Sequence, residues 1–228
     1  MTSKISLLLY PSLRGRAFIQ NIVKNKIELS NIILMNNKYE KSSFLEYEKF
    51  DFFDPNEKVR TTLKKNDLSF SKVESNNCND SVVVEELKKN NTEWVIYSGG
   101  GILKDEILSL GIKFIHIHPG KLPDYKGSTC FYYSFLNEGK CTCTAFIMDK
   151  NLDSGEILHS KEFHPPRGID FDYIYDNWMR SETLVEVIKK IRKGHVKLQK
   201  NKSKVSDMYY IIHPVLKHIS LLRNNNEI

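Results

Sequence analysis

Short apolar runs punctuate a chain that is otherwise polar. Lys4 to Tyr10, Asn31 to Met35 and Trp94 to Ser98 are each too short for a helix and are bounded by polar or turn residues, so each predicts a buried strand. After Pro11 and Ser12 turn the chain, Phe18, Ile19, Ile22 and Val23 recur at helical spacing. A strand, a helix and a strand in that order predict a parallel sheet. Asp80 or Ser81 is placed to cap a helix running through Leu87, and Lys104 to Leu110 reads as a short helix. Lys113 to His118 alternates as a strand that Pro119 and Gly120 end. A helix over Cys130 to Asn137 leads to strands over Cys141 to Met148 and Glu156 to Phe163. Asn151, Asp153, Ser154 and Gly155 turn the chain between them. Leu184, Val187, Ile188 and Ile191 mark an amphipathic helix that Gly194 ends. The charged stretch 36–68 is irregular, with a helix expected around Phe44 to Phe50. The expected fold is α/β and Rossmann-like: a mostly parallel twisted sheet, flanking helices and a C-terminal helical tail. The expected division is a catalytic domain over 1–194 and a basic extension over 195–228.

Composition narrows the class. Hydrophobic residues make up 40% of the 228, enough for a core. No apolar run approaches the ~18 residues that span a bilayer. Met1-Thr2-Ser3-Lys4 leads straight into a strand without a signal-peptide cleavage region, so a soluble, cytoplasmic protein with no membrane partner is expected. Cys78, Cys130, Cys141 and Cys143 fit no common zinc spacing and read as reduced, partly buried thiols. The net charge of +6 is concentrated: Lys189 to Lys204 holds eight basic residues and no acid, which leaves 6 − 8 = −2 elsewhere. That run reads first as a solvated helix end and second as a docking patch for an anionic partner, and the high pI does not imply nucleic acid as a partner. The tail's apolar stretch, Ile211 to Leu222, can pack on its own domain or on a second subunit of a homodimer.

Three features fall at the ends of neighbouring elements: Ser98-Gly99-Gly100-Gly101, His116-Ile117-His118-Pro119-Gly120, and Asp153-Ser154-Gly155. Open parallel sheets bind ligands beyond the carboxyl ends of their strands. His116 and His118, two apart on a strand, face one side. Asp153 follows His118 by 153 − 118 = 35 residues, enough chain to return to the same edge. A carboxylate beside an imidazole fixes its tautomer and raises its basicity. Acyl transfer to an amine needs a base for the amine proton and a donor for the oxyanion, and it requires no protein nucleophile. The same His-x-His with a later Asp also suits a metal-dependent hydrolase, with His159 or His164 as an added ligand. Arg180 reads as half of a surface-helix salt bridge, with a substrate anion as the alternative. Phe131, Tyr132, Tyr133 and Phe135 read as core.

The motifs add a family. His118-Pro119, Leu122-Pro123 and Tyr125-Lys126-Gly127, followed by Asp153-Ser154-Gly155-Glu156-Ile157, resemble in order and interval the two signatures of the formyltransferases. The match covers roughly Trp94 to Phe163. The resemblance implies a formyltransferase fold and 10-formyltetrahydrofolate as formyl donor, with no metal. It implies His118 and Asp153 as catalytic residues. It implies that Tyr97, Ser98, Gly99, Gly100, Gly101, Ile102 and Leu103 hold the cofactor's pterin ring, and that Lys121, Tyr125 and Lys126 shape the acceptor side. His116 stands where the family usually has Asn, whose amide donates to the formyl oxygen. Replacement of that Asn by His116 is the favoured reading, and a folate binder disabled by His116 is the other. Relatives that formylate initiator tRNA carry a C-terminal β-barrel, whereas 34 residues follow Gly194 here. The glycinamide ribonucleotide relatives carry Gly-Ser-Asn after the first strand, where this chain has Pro11-Ser12-Leu13-Arg14-Gly15. The resemblance therefore implies a small-molecule amine acceptor, an anionic and nucleotide-linked amino sugar.

Overall fold

The computed structural model describes residues 3–36, 52–202 and 208–227. Its order is β1 Ile5–Leu9, α1 Leu13–Lys24, β2 Asn31–Met35, α2 Val59–Lys65, β3 Ser71–Val73, α3 Ser81–Lys89, β4 Trp94–Tyr97, α4 Asp105–Leu108 and β5 Lys113–His118. There follow β6 Lys126–Gly127, α5 Cys130–Glu138, β7 Cys141–Ile147 and β8 Ile157–Phe163. A π-helical turn, Phe171–Tyr175, leads into α6 Asp176–Arg192, and β9 Met208–Tyr209 and α7 Pro214–Asn225 complete the chain. The helix expected around Phe44 to Phe50 lies outside the described residues.

Seven strands form one sheet in the order β3-β2-β1-β4-β5-β7-β8. β1 to β5 run parallel, and β7 and β8 add antiparallel strands at one edge. Strand order reverses between β1 and β4, which places the switch point where α1 and the glycine loop begin. The central strands β1, β2 and β4 read as nearly continuous apolar runs because both faces are covered. Alternate residues of β1 enter different cores: Leu7 and Leu9 pack with Phe18, Ile19 and Leu184, whereas Leu8 packs with Val83, Leu87 and Val95. The same parity sends Ile115 and Ile117 of β5 to the first core, and His116 and His118 to the opposite face.

Several local expectations acquire details here. Asp80 is the N-cap of α3, but its carboxylate accepts from Ser75 and Asn77 instead of from the helix. Cys141 and Cys143 share the buried face of β7, and all four cysteines are free and buried. Tyr132 and Phe135 stack around Phe171, so that aromatic group belongs to the core. The tail stretch divides: Ile212 is buried, while Ile211 and Val215 are exposed. No helix among the described residues is long and apolar enough to cross a membrane.

Candidate active site

β5 carries both histidines to the carboxyl edge of the sheet. Its antiparallel partner β7 sets their depth, with His116 opposite Phe146 and His118 opposite Thr144. Thr144 then pins the loop that follows: its hydroxyl donates to the carbonyl of Gly120 at 2.7 Å and accepts from the Leu122 amide at 3.2 Å. Gly120 lies against the His118 ring. A Cβ there would meet His118 Nε2 and the Tyr125 carbonyl oxygen, each at 2.8 Å. Glycine at this position lets the loop fold over the imidazole.

His118 is buried, and both ring nitrogens face oxygens. Nε2 lies 2.8 Å from the Tyr125 carbonyl, which can only accept, so this nitrogen carries the proton of the neutral ring. Nδ1 lies 3.5 Å from Asp153 Oδ2, too far for a strong hydrogen bond but close enough for attraction once the ring is charged. Burial pushes His118 below the usual imidazole range, and Asp153 and the Tyr125 carbonyl oppose that push. The neutral ring therefore offers Nδ1 as a base.

Asp153 is buried as well, at left-handed backbone angles with φ +49°, a conformation Asp tolerates better than most residues. Its Oδ2 accepts from the Gly127 amide at 2.9 Å and its carbonyl accepts from Asn201 at 2.9 Å. The carboxylate is thus held by the loop after His118, and the Asp153 backbone by Asn201 beyond α6.

His116 differs. Its Nδ1 is buried without a hydrogen-bond partner, and its ring stands edge-on to Phe146 at 5.9 Å. Burial, reinforced by Arg14, Arg180 and His118, holds it well below the usual imidazole range. Arg180 is not on the surface, as the sequence reading had it. It is buried, with Nε donating to Asp176 at 2.8 Å and Nη1 to the Ile117 carbonyl at 2.8 Å. The expected salt bridge exists, but it lies under the site. The reason is that α6 packs along the sheet beside α1 and turns this face inward.

Arg14 was not foreseen as a site residue. It lies in the first turn of α1, at the switch point, and Nη1 donates to the Gly99 carbonyl at 3.0 Å. Its Nε is buried without a partner, and burial next to Arg180 pulls the guanidinium down to about 9, still a cation at neutral pH. The signal available in the sequence was its position, straight after β1 at the switch point.

These groups surround a cavity of about 480 Å³. Arg14, His116, His118, Asp153 and Arg180 line it, with Phe146 and Met148 as apolar wall. Gly100, Gly101, Ile102 and Leu103 line it too. Tyr97, Ser98 and Gly99 lie beneath that loop and support it: the Tyr97 hydroxyl donates to the Gly100 carbonyl at 2.7 Å, and Ser98 accepts from the Tyr10 amide at 2.7 Å. Lys121, Tyr125 and Lys126 are outside the lining. Lys121 faces solvent 3.5 Å from Asp124, the Tyr125 ring stacks on Tyr209, and Lys126 is buried in β6. Gly127, Ser128 and Thr129 line the cavity in their place. Among the described residues no three His, Cys, Asp or Glu side chains are grouped to hold a metal ion. His159 instead bridges Glu186 and Lys190, at 2.7 Å each.

A doubly wound α/β protein with a His–carboxylate pair in a cavity at its switch point is the class that fold and site define. The family of formyl transferases matches residues 13–185, and the chain belongs to it. It is 30% identical over 146 residues to methionyl-tRNA formyltransferase of Caldanaerobacter subterraneus subsp. tengcongensis, covering 62% of this chain and 47% of that protein. The chain thus spans about half the length of the curated relatives it matches. A sugar N-formyltransferase from a Shewanella species shares the fold with TM-score 0.61 at 18% identity, covering 97% of this chain and 87% of that one. A formyltetrahydrofolate deformylase from Pseudomonas syringae pv. tomato does so with TM-score 0.64 at 13% identity, covering 91% and 67%.

Proposed function

We propose that this chain transfers the formyl group of 10-formyltetrahydrofolate to the amine of an amino sugar, anionic and nucleotide-linked, in the assembly of surface glycans. The observation that carries the reading is the meeting of neutral His118 and buried Asp153 in one cavity. Attack by an amine on a formyl carbon generates N–H acidity on one side and an oxyanion on the other. His118 Nδ1 takes the amine proton, and Asp153 steadies the imidazolium that results. His116, neutral in the cavity wall, offers a ring N–H to the oxyanion, the part that the family gives to Asn. His118 then returns its proton to the departing nitrogen, which leaves the base as it began. The Gly100–Leu103 loop, with Phe146 and Met148, offers the donor's ring an apolar wall with backbone polar groups, and the cavity volume suits a ligand of that size.

Arg14 supports the anionic acceptor. It is a cation in a low-dielectric wall with no carboxylate in direct contact among the described residues, Asp176 acting on it only at longer range, so an acceptor phosphate or carboxylate would complete it. The deformylase with the same fold raises water as the competing acceptor. Incubation with donor labelled in the formyl carbon, with a panel of nucleotide-linked amino sugars, with glycinamide ribonucleotide and with no amine, separates these. The reading expects label in an amino sugar. Label only in glycinamide ribonucleotide, or only in free formate, overturns it.

A further inference from the structure

The segment from Met208 to Ile212 lies beyond the part of the chain that the family matches, yet it is bonded to the loop that serves the site. β9 pairs in parallel with β6, Lys126 opposite Met208 and Gly127 opposite Tyr209. The Ser128 amide donates to the Tyr209 carbonyl at 2.8 Å. Thr129 holds the next two residues: its hydroxyl donates to the Tyr210 carbonyl at 3.3 Å and accepts from the Ile212 amide at 2.9 Å. The Tyr133 hydroxyl donates to that same Tyr210 carbonyl at 3.2 Å. The Tyr209 ring sits between Tyr125 and Tyr133, with centroids 5.4 and 4.6 Å away.

Gly127 is the junction. Its amide is the one that donates to Asp153 Oδ2. On its other side, a Cβ would stand 2.1 Å from the Tyr209 carbonyl oxygen, at a φ of +103° that side chains avoid. So the tail backbone closes on the one position that also holds the carboxylate. Directly after, Ile211 stands 78% exposed while lining the cavity. An aliphatic side chain left in the open at the wall of a cavity gains only when a ligand covers it.

We infer that residues 208–212 are a working part of the site: they hold Gly127, and through it Asp153, in place beside His118, and they supply Ile211 as a wall that selects acceptors with an apolar face next to the reacting amine. The acceptor half rests on the function proposed above. The positioning half does not, because it concerns groups of this chain alone.

The test uses the full chain. The His118 ring is titrated by NMR, without substrate, in the wild type, in Gly127→Ala and in Tyr133→Phe. The Asp153 carboxylate favours the charged ring, so loosening it lowers the His118 midpoint, by about half a pH unit or more in Gly127→Ala and by less in Tyr133→Phe. Circular dichroism establishes that each variant is folded. If Gly127→Ala does not fold, the milder Tyr133→Phe decides. A midpoint unchanged in every folded variant overturns the positioning role. For the wall, Ile211→Ala is compared with wild type at saturating donor and then at saturating acceptor. The acceptor KM is expected to rise roughly fivefold and the donor KM to change less than twofold, in keeping with the few methylene groups removed. Equal changes in both, or none, overturn that role. A wild type that turns over no amine overturns the proposed function together with the wall, while the titration still decides the positioning.

Discussion

His116 and His118 lie two residues apart on one strand, on one face, in one cavity, and their surroundings have almost nothing in common. His118 has an oxygen at each ring nitrogen and a carboxylate within reach. His116 has a buried nitrogen with no partner and two guanidiniums in its neighbourhood. Burial lowers both. The neighbours then act oppositely, Asp153 drawing a proton toward His118 and Arg14 keeping one from His116. In the proposed reaction one residue type thus fills two posts, a base that accepts and releases a proton and a neutral donor that keeps its own. The difference comes from what surrounds each ring: loops bring Asp153 and the Tyr125 carbonyl to His118, and α1 brings Arg14 to His116.

The comparison breaks most sharply at the base. His118→Gln and Asp153→Asn should each lower kcat by roughly a thousandfold with little change in the donor KM, since both act on the proton in flight. Steady-state rates with the best acceptor of the panel check this, and a loss under tenfold in either would break the assignment. At the other ring, His116→Leu should cost about a hundredfold through loss of the oxyanion donor, whereas His116→Asn, which restores an amide N–H, should stay within about tenfold of wild type. Equal losses in the two would mean that His116 matters for packing and not for donation. Replacing Arg14 by Met keeps its bulk and removes its charge. The acceptor KM should rise about tenfold, while the donor KM is unmoved.

The pH dependence sharpens the same contrast. His118 must be neutral to act, and its midpoint lies below the ordinary value of about 6.5, so the acid limb of kcat/KM should fall below pH 6.5. Stability moves the same way. Both histidines bind protons less readily folded than unfolded, so stability is full above about pH 6.5 and declines as the pH drops below it. Urea unfolding midpoints at a series of pH values should show this decline reduced in His116→Asn. The smallest effect is expected at Lys121, which lies outside the cavity: Lys121→Ala should leave both KM values within about twofold.

Much of this was open to reading in the chain. β1, β2 and β4 announce themselves as nearly continuous apolar runs because both their faces are buried, and β5 because its histidines alternate with isoleucines. His118 and Asp153 come together as their motifs and intervals imply. Other features were hidden for physical reasons. Arg14 stood out only as part of a departure from Gly-Ser-Asn, because its meaning depends on Gly99 and Arg180, both far away in sequence. The resemblance implies Tyr125 and Lys126 on the acceptor side, but a two-residue strand paired with β9 turns one into a stack on Tyr209 and buries the other. That pairing is made by backbone groups, which leave no pattern in side chains. Arg180 had the right partner and the wrong environment, since helical spacing reveals an i, i+4 pair but not which side of the helix the sheet covers.

The central claim is that the two rings hold different posts, and one paired measurement tests it directly. Single-turnover formyl transfer from 10-formyltetrahydrofolate is followed in His118→Gln and in His116→Asn under the same conditions. The account expects near-complete loss in the first and a rate close to wild type in the second. Near-normal transfer without the His118 imidazole, or equal collapse in both variants, would contradict it.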